Sequence, residues 1–94
     1  MTKYIIIEDE RLAYEEIRRM MQRLRPDYTL VGWAAGIEQA ILQLTLGGID
    51  LMIVDIRLSD GLSFEIFERT EVDIPVIFTT AYDEYALRAF KVNS

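Results

Sequence analysis

The chain has 94 residues, 51% of them hydrophobic, which is enough for one small domain with a packed core. Ten basic and sixteen acidic residues give a net charge of −6, so we expect this domain itself to bind no nucleic acid. Cysteine and histidine are absent, which excludes disulfides, thiolate or imidazole metal sites, and histidine-based catalysis.

No targeting or membrane segment is predicted. Met1-Thr2-Lys3 precedes only four apolar residues, too few for the apolar region of a signal peptide. No apolar stretch approaches the ~20 residues that span a bilayer. We therefore expect a cytoplasmic domain with no membrane partner.

The first half of the chain alternates between strand and helix patterns. Residues 4–7 form a short apolar run, typical of a buried strand. Residues 10–25 carry apolar side chains at helical spacing, and residues 28–34 are rich in β-forming types. Residues 37–44 repeat the helical spacing, and Gly47-Gly48 is expected to end that second helix.

The second half continues the alternation. Residues 51–54 predict a central strand, and residues 56–63 a loop with a turn at Asp60-Gly61. A short helix over residues 64–69, a strand over residues 75–79 and an aromatic helix over residues 82–90 follow. This order of elements predicts an α/β fold, in which a parallel sheet carries helices on both faces.

Three of the predicted strands run into side chains suited to phosphate or metal chemistry. The first precedes Glu8-Asp9-Glu10, the third Asp55, and the fourth Thr79-Thr80. Parallel strands bring their carboxyl ends to one edge of the sheet, where open α/β sheets place ligand sites. Carboxylates crowded there cannot all ionise cheaply without a cation, and Mg2+ prefers such oxygen ligands.

Each of these side chains also has a structural interpretation. Acids stabilise a helix N-terminus, an aspartate can belong to a turn, and threonine is common in strands. The glycines match no phosphate-binding loop, and a serine triad would lack its histidine base. The functional hypothesis that remains is an aspartate nucleophile that accepts a phosphoryl group with Mg2+.

Three segments together resemble a bacterial response-regulator receiver domain. They are Ile5-Ile6-Ile7-Glu8-Asp9-Glu10-Arg11-Leu12-Ala13, Ile53-Val54-Asp55-Ile56-Arg57-Leu58-Ser59-Asp60-Gly61 and Ile77-Phe78-Thr79-Thr80-Ala81-Tyr82-Asp83. Residues 79–90 are similar to receivers attached to LytTR-type DNA-binding domains. The resemblance covers nearly the whole chain and implies a flavodoxin-like fold with strand order 2-1-3-4-5.

The resemblance also implies a role for each matching residue of the site. Asp55 would be the phosphoacceptor and, with Asp9, would bind Mg2+ directly. Glu8 stands where the family usually has aspartate and would act mostly through water. The backbone carbonyl of Arg57 would be a further metal ligand. Thr80 would be the switch hydroxyl that bonds the phosphoryl group, while Ala81 leaves room for the phosphodonor.

Receivers continue into a fifth strand with a lysine and a fifth helix, so residues 1–94 are expected to be a receiver truncated at its C-terminus. We expect an open sheet edge that favours a homodimer or swapped oligomer. Without the lysine, phosphorylation of Asp55 by a small donor is expected to be slow or absent. The implied partners are a sensor histidine kinase and a DNA-binding output domain outside this chain.

Two alternatives to a phosphorylated receiver remain. A pseudo-receiver would keep the fold as a protein-interaction module and signal without phosphate. An aspartate-dependent phosphohydrolase would need a second aspartate two residues after the nucleophile, where Arg57 stands. The resemblance therefore implies a signalling domain rather than an enzyme.

Overall fold

The structure, a computed structural model, describes residues 1–79 of the chain. Apart from a short hairpin after the third strand, helices and strands alternate along these residues as the sequence predicts, and the predicted boundaries hold to within one or two residues. In chain order the elements are β1 (Lys3–Ile7), α1 (Arg11–Leu24), β2 (Thr29–Ala34), α2 (Ile37–Leu46), β3 (Leu51–Asp55), β4 (Arg57–Leu58), β5 (Gly61–Leu62), α3 (Phe64–Arg69) and β6 (Val76–Thr79).

Four of the strands form one parallel sheet in the order β2-β1-β3-β6. β6 is the fourth strand of the sequence prediction, so the expected order 2-1-3-4 is confirmed. The register places Ile7 opposite Val54, and Asp55 opposite Thr79. The carboxyl ends of β1, β3 and β6 therefore lie side by side, as the three strand-end motifs predict.

Each face of the sheet has its own apolar layer, because successive strand residues point to opposite sides. The central strands are buried on both faces, which explains why their sequences are continuous apolar runs. The layer under α2 and α3 contains Ile5, Ile7, Ala34, Ile37, Ala40, Met52, Val54, Leu58, Ile66 and Val76. The layer under α1 contains Tyr4, Ile6, Leu51 and Ile53, with Tyr14, Ile17, Met21, Tyr28 and Leu30 packed against them.

The predicted loop over residues 56–63 contains a short antiparallel hairpin, a detail that the sequence pattern did not predict. Arg57 pairs with Leu62, and Leu58 with Gly61. Gly61 has a φ of 137°, a conformation that glycine adopts at little cost and that other residues rarely adopt. The turn expected at Asp60-Gly61 is thereby confirmed, and it folds the segment after Asp55 back on itself.

Several predictions concern the far end of the chain. The helix expected over residues 82–90 lies outside the described residues, as do Thr80 and Ala81. Within residues 1–79, β6 pairs with β3 and with no other strand. Association through this edge stays a prediction. In the same part of the chain, no helix combines the length and apolar character needed to cross a membrane.

Candidate functional site

Three carboxylates converge at the carboxyl edge of the sheet. Glu8 and Asp9 follow β1, and Asp55 ends β3. One oxygen from each lies within 4.8 Å of the others, close enough for all three to surround a single cation. The pairing of β1 with β3 brings these residues together across 46 positions or more of sequence, because Ile7 lies opposite Val54.

Glu8 is the most buried of the three, with only 4% of its surface exposed. Its Oε2 accepts the backbone N–H of Glu10 at 3.0 Å, which holds the side chain against the segment between β1 and α1. Burial raises the pKa of Glu8 to about 7, and hydrogen bonding with Asp9 and the charges of Asp55 and Asp9 act in the same direction. The Glu10 N–H opposes that rise. The Glu8 carboxyl therefore titrates near neutral pH.

Asp55 is half-buried at the end of β3. Burial raises its pKa above the ordinary value, and the charge of Asp9 adds to the effect. Backbone N–H groups of Arg57 and Ile56, and a hydrogen bond with Glu8, act in the opposite direction. These donors orient the carboxylate, yet they do not remove the repulsion within the cluster. A bound cation would do so.

The backbone that carries Glu8 is held by the end of β2. Its N–H donates to the Ala34 carbonyl at 3.0 Å, and its carbonyl accepts the indole Nε1–H of Trp33 at 2.7 Å. Trp33 also stacks on Tyr14 of α1, with ring centroids 4.1 Å apart and planes at 8°. Sequence reasoning did not single out Trp33, since nothing local indicates a contact across 25 residues.

Asp60 lies outside the carboxylate cluster, at the N-terminus of α2. Both of its carboxylate oxygens accept the N–H of Ile37, at 3.1 and 2.9 Å, and so cap the N-terminus of α2. Gly36 allows this approach, because a Cβ there would lie 2.8 Å from Asp60 Oδ2. A cap of this kind stabilises a helix by about 1 kcal/mol. The sequence predicted the turn at Asp60 but not this contact with α2.

The other residues expected at the site occupy neighbouring positions. Arg57 lies in β4, two residues after Asp55, and its backbone N–H bonds the Asp55 carboxylate. Thr79 lies opposite Asp55 on β6, and its carbonyl accepts the N–H of Ile56 at 3.4 Å. Thr80 and Ala81 fall outside the described residues, so their expected roles stay predictions.

The donor set fits a hard divalent cation. It consists of carboxylate oxygens from three acids, of which Asp9 and Asp55 are partly exposed and Glu8 is buried. Mg2+ is bound in proteins through one or two carboxylates and keeps several waters, which an open cluster of this kind allows. The chain contains no histidine or cysteine to attract a softer metal.

Comparisons with known sequences agree with this chemistry. The family profile described as response regulator receiver domain matches residues 4–94. The sensory transduction protein LytT of Bacillus cereus is 34% identical over 97 aligned positions, which cover all of this chain and 39% of that protein. LytT of Enterococcus faecalis is 36% identical over 93 positions, 96% of this chain and 38% of that protein. The chain thus spans about two fifths of the length of these curated relatives.

Solved structures give the same result. The receiver domain of Erythrobacter litoralis PhyR, solved by NMR, is 32% identical with a TM-score of 0.78, covering 98% of this chain and 72% of that one. TrrA of Thermotoga maritima, crystallised in complex with Mg2+ and BeF, is 25% identical with a TM-score of 0.77, covering 90% and 74%. The flavodoxin-like fold and the resemblance inferred from the three motifs are both confirmed. The chain belongs to the response regulator receiver domain family, whose members are signalling modules.

Proposed function

We propose that Asp55 accepts a phosphoryl group while Mg2+ is bound in the carboxylate cluster. The observation that supports this most strongly is the convergence of Glu8, Asp9 and Asp55 within 4.8 Å at the ends of adjacent strands. A structural role alone gives no reason to bring three mutually repelling acids together, one of them buried and two partly buried. The neighbour TrrA, crystallised in complex with Mg2+ and BeF, supports the same assignment.

In this proposal each residue around the metal has its own task. Asp9 and Asp55 would hold the ion directly, the backbone carbonyl of Arg57 would be a further ligand, and Glu8 would act mostly through water. Mg2+, when bound, supplies positive charge that offsets the carboxylate repulsion and neutralises the phosphodonor. Since Glu8 has a pKa of about 7, it must lose its proton to support the ion fully.

In the phosphoryl transfer, the Asp55 carboxylate is the nucleophile. One of its oxygens attacks phosphorus, an O–P bond forms, and the bond to the donor's leaving atom breaks with its electron pair staying on the leaving group. The N–H groups of Ile56 and Arg57 keep the carboxylate oriented for this attack. Thr80 would then bond the phosphoryl oxygens, and Ala81 would leave space for the donor.

The wider role is proposed by analogy with the family. The donor is a sensor histidine kinase, and the phosphorylated domain switches a DNA-binding output domain. The domain itself is a cytoplasmic signalling module rather than an enzyme, and it binds no nucleic acid. A second copy of the chain is a further partner in this proposal, as a homodimer or swapped oligomer formed through the side of β6 that pairs with no strand within residues 1–79.

Trapping the phosphorylated residue tests the proposal. The chain is incubated with acetyl phosphate and Mg2+, the acyl phosphate is reduced with borohydride, and peptides are analysed by mass spectrometry. Labelling by this small donor is expected to be slow, and whatever label forms should lie on Asp55, require Mg2+ and be absent from Asp55→Asn. The control Asp50→Asn makes the same chemical change at an exposed residue and should remain labelled.

The residue that is labelled, rather than the labelling rate, decides this test. Labelling of another residue, or equal labelling of Asp55→Asn, would contradict the proposal. A pseudo-receiver would show neither labelling nor Mg2+ binding, and that result would favour the alternative of a phosphate-independent interaction module.

A further inference from the structure

Trp33 contacts both ends of the segment from Glu8 to Tyr14, which contains the acidic residues 8–10. At the first end, its Nε1–H donates to the Glu8 carbonyl at 2.7 Å. At the second end, its ring stacks on Tyr14, which lies in the first turn of α1. Trp33 is the only tryptophan in the chain. One side chain on β2 thus joins the end of β1 to the start of α1.

The indole N–H bonds a backbone carbonyl, that of Glu8, for which the pairing of β1 with β2 supplies no N–H donor. The pairing of β1 with β2 ends at Ile7 and Ala34, and the Glu8 N–H to the Ala34 carbonyl follows directly after it. A longer parallel ladder would offer the Glu8 carbonyl a backbone N–H from the next residues of β2. Because β2 ends at Ala34, the indole donates instead.

This bond determines how Asp9 leaves the strand. The peptide unit between Glu8 and Asp9 is planar, so a fixed Glu8 carbonyl also fixes the direction of the Asp9 N–H and the position of its Cα. The Glu8 N–H, which belongs to the preceding peptide unit, is held as well, so the peptide units on both sides of the Glu8 Cα are hydrogen-bonded to β2 or its side chain. The Asp9 carboxylate is therefore presented to Asp55 from a backbone held on both sides of Glu8.

We propose that Trp33 is a positioning residue for the Mg2+ site, acting through the Glu8 carbonyl rather than on the ion. This inference rests on the proposed function, because it assumes that the carboxylate cluster binds Mg2+. Groups that hold metal ligands in place contribute to affinity although they never touch the metal. The stacked ring of Tyr14 keeps the indole in the orientation that this role requires.

The variant Trp33→Phe tests the role, since phenylalanine keeps one aromatic ring against Tyr14 and removes the N–H donor together with the second ring of the indole. We expect its Mg2+ dissociation constant, measured by calorimetry, to rise about fivefold, the factor that corresponds to one net hydrogen bond. The control Tyr14→Phe removes a polar group from the same ring pair but keeps the indole bond. Its dissociation constant should stay within about twofold of the wild type, well below the effect of that bond.

A second readout uses the wild-type protein alone. Its single indole N–H gives one NMR signal, which we expect to exchange slowly with solvent and to shift when Mg2+ is added. A merely structural Trp33 would lower the melting temperature of Trp33→Phe without changing Mg2+ affinity.

Two results would overturn the inference separately from the proposed function. They are a Trp33→Phe dissociation constant equal to that of the wild type, and an indole signal that does not move at saturating Mg2+. If the wild type binds no Mg2+ at all, the proposed function fails first and the positioning role fails with it.

Discussion

Replacing Asp55 by asparagine should stabilise the metal-free protein and at the same time remove most of its affinity for Mg2+. Burial and the charge of Asp9 raise the pKa of Asp55, so its ionised form is disfavoured in the folded state. Asparagine has nearly the same shape and keeps one carbonyl oxygen for the N–H groups of Ile56 and Arg57. It removes the negative charge that repels Glu8 and Asp9.

We expect the free energy of unfolding of Asp55→Asn to rise by about 1 kcal/mol without metal, since a repulsive partly buried charge is lost. Mg2+ affinity should fall about tenfold or more, because the number of charged ligands sets the affinity of such sites. Chemical denaturation and calorimetric titration measure the two effects. Asp50→Asn serves as the matched control and should change neither. A variant that is less stable without metal, or that binds Mg2+ normally, would contradict the assignment of Asp55 to the cluster.

The stability of the metal-free protein should fall as the pH rises from 5 to 8. Folding raises the pKa of Glu8 from an ordinary value of 4.5 to about 7. The folded state therefore binds more protons than the unfolded chain in this range, and the stability from this group is lost as pH rises through 7. The raised pKa of Asp55 acts in the same direction.

The other carboxyl groups with shifted pKa values titrate below this pH range. Glu15, Asp27 and Glu38 have pKa values lowered by arginine partners, so their contribution is present above the ordinary carboxyl range and is lost only at more acidic pH. The chain has no histidine. The difference between 4.5 and about 7 sets an upper limit of about 3 kcal/mol for Glu8. Because the neighbouring carboxylates of Asp9 and Asp55 are partly exposed, solvent screening reduces the expected loss to roughly 2 kcal/mol.

The variant Glu8→Gln isolates this effect, because the amide keeps the shape of the side chain and does not titrate. Its free energy of unfolding, measured by urea denaturation across the range, should depend much less on pH than that of the wild type. Saturating Mg2+ should also reduce the fall in the wild type, since metal binding strengthens as Glu8 loses its proton. A profile equally steep in Glu8→Gln would place the titrating group elsewhere.

The sheet and the carboxylate cluster could be predicted because both depend on short local patterns. Apolar runs of four residues mark β1 and β3 as strands buried on both faces, and each run is followed directly by its functional side chains. Once the strands are parallel, the positions of Glu8, Asp9 and Asp55 follow from topology. The pairing of Ile7 with Val54 in the structure is the physical basis of that success.

The contacts that support the site could not be predicted in this way. Trp33 reads locally as an ordinary β-strand residue, and its bond to Glu8 exists only because β2 ends one residue later. Asp60 reads as a turn residue, yet it caps α2 from 23 positions away. Both contacts depend on how the elements pack in space. The spacing of residues along the chain gives no information about this packing.

The most direct test of the central claim is an NMR titration of the backbone amide signals with Mg2+. Because Glu8, Asp9 and Asp55 are proposed to form one metal site, we predict saturable shifts that are largest at residues 8–10 and 55–57. The indole signal of Trp33 should shift with the same dissociation constant. Shifts centred elsewhere in the chain, or none at saturating Mg2+, would contradict a magnesium site at the carboxyl ends of β1 and β3.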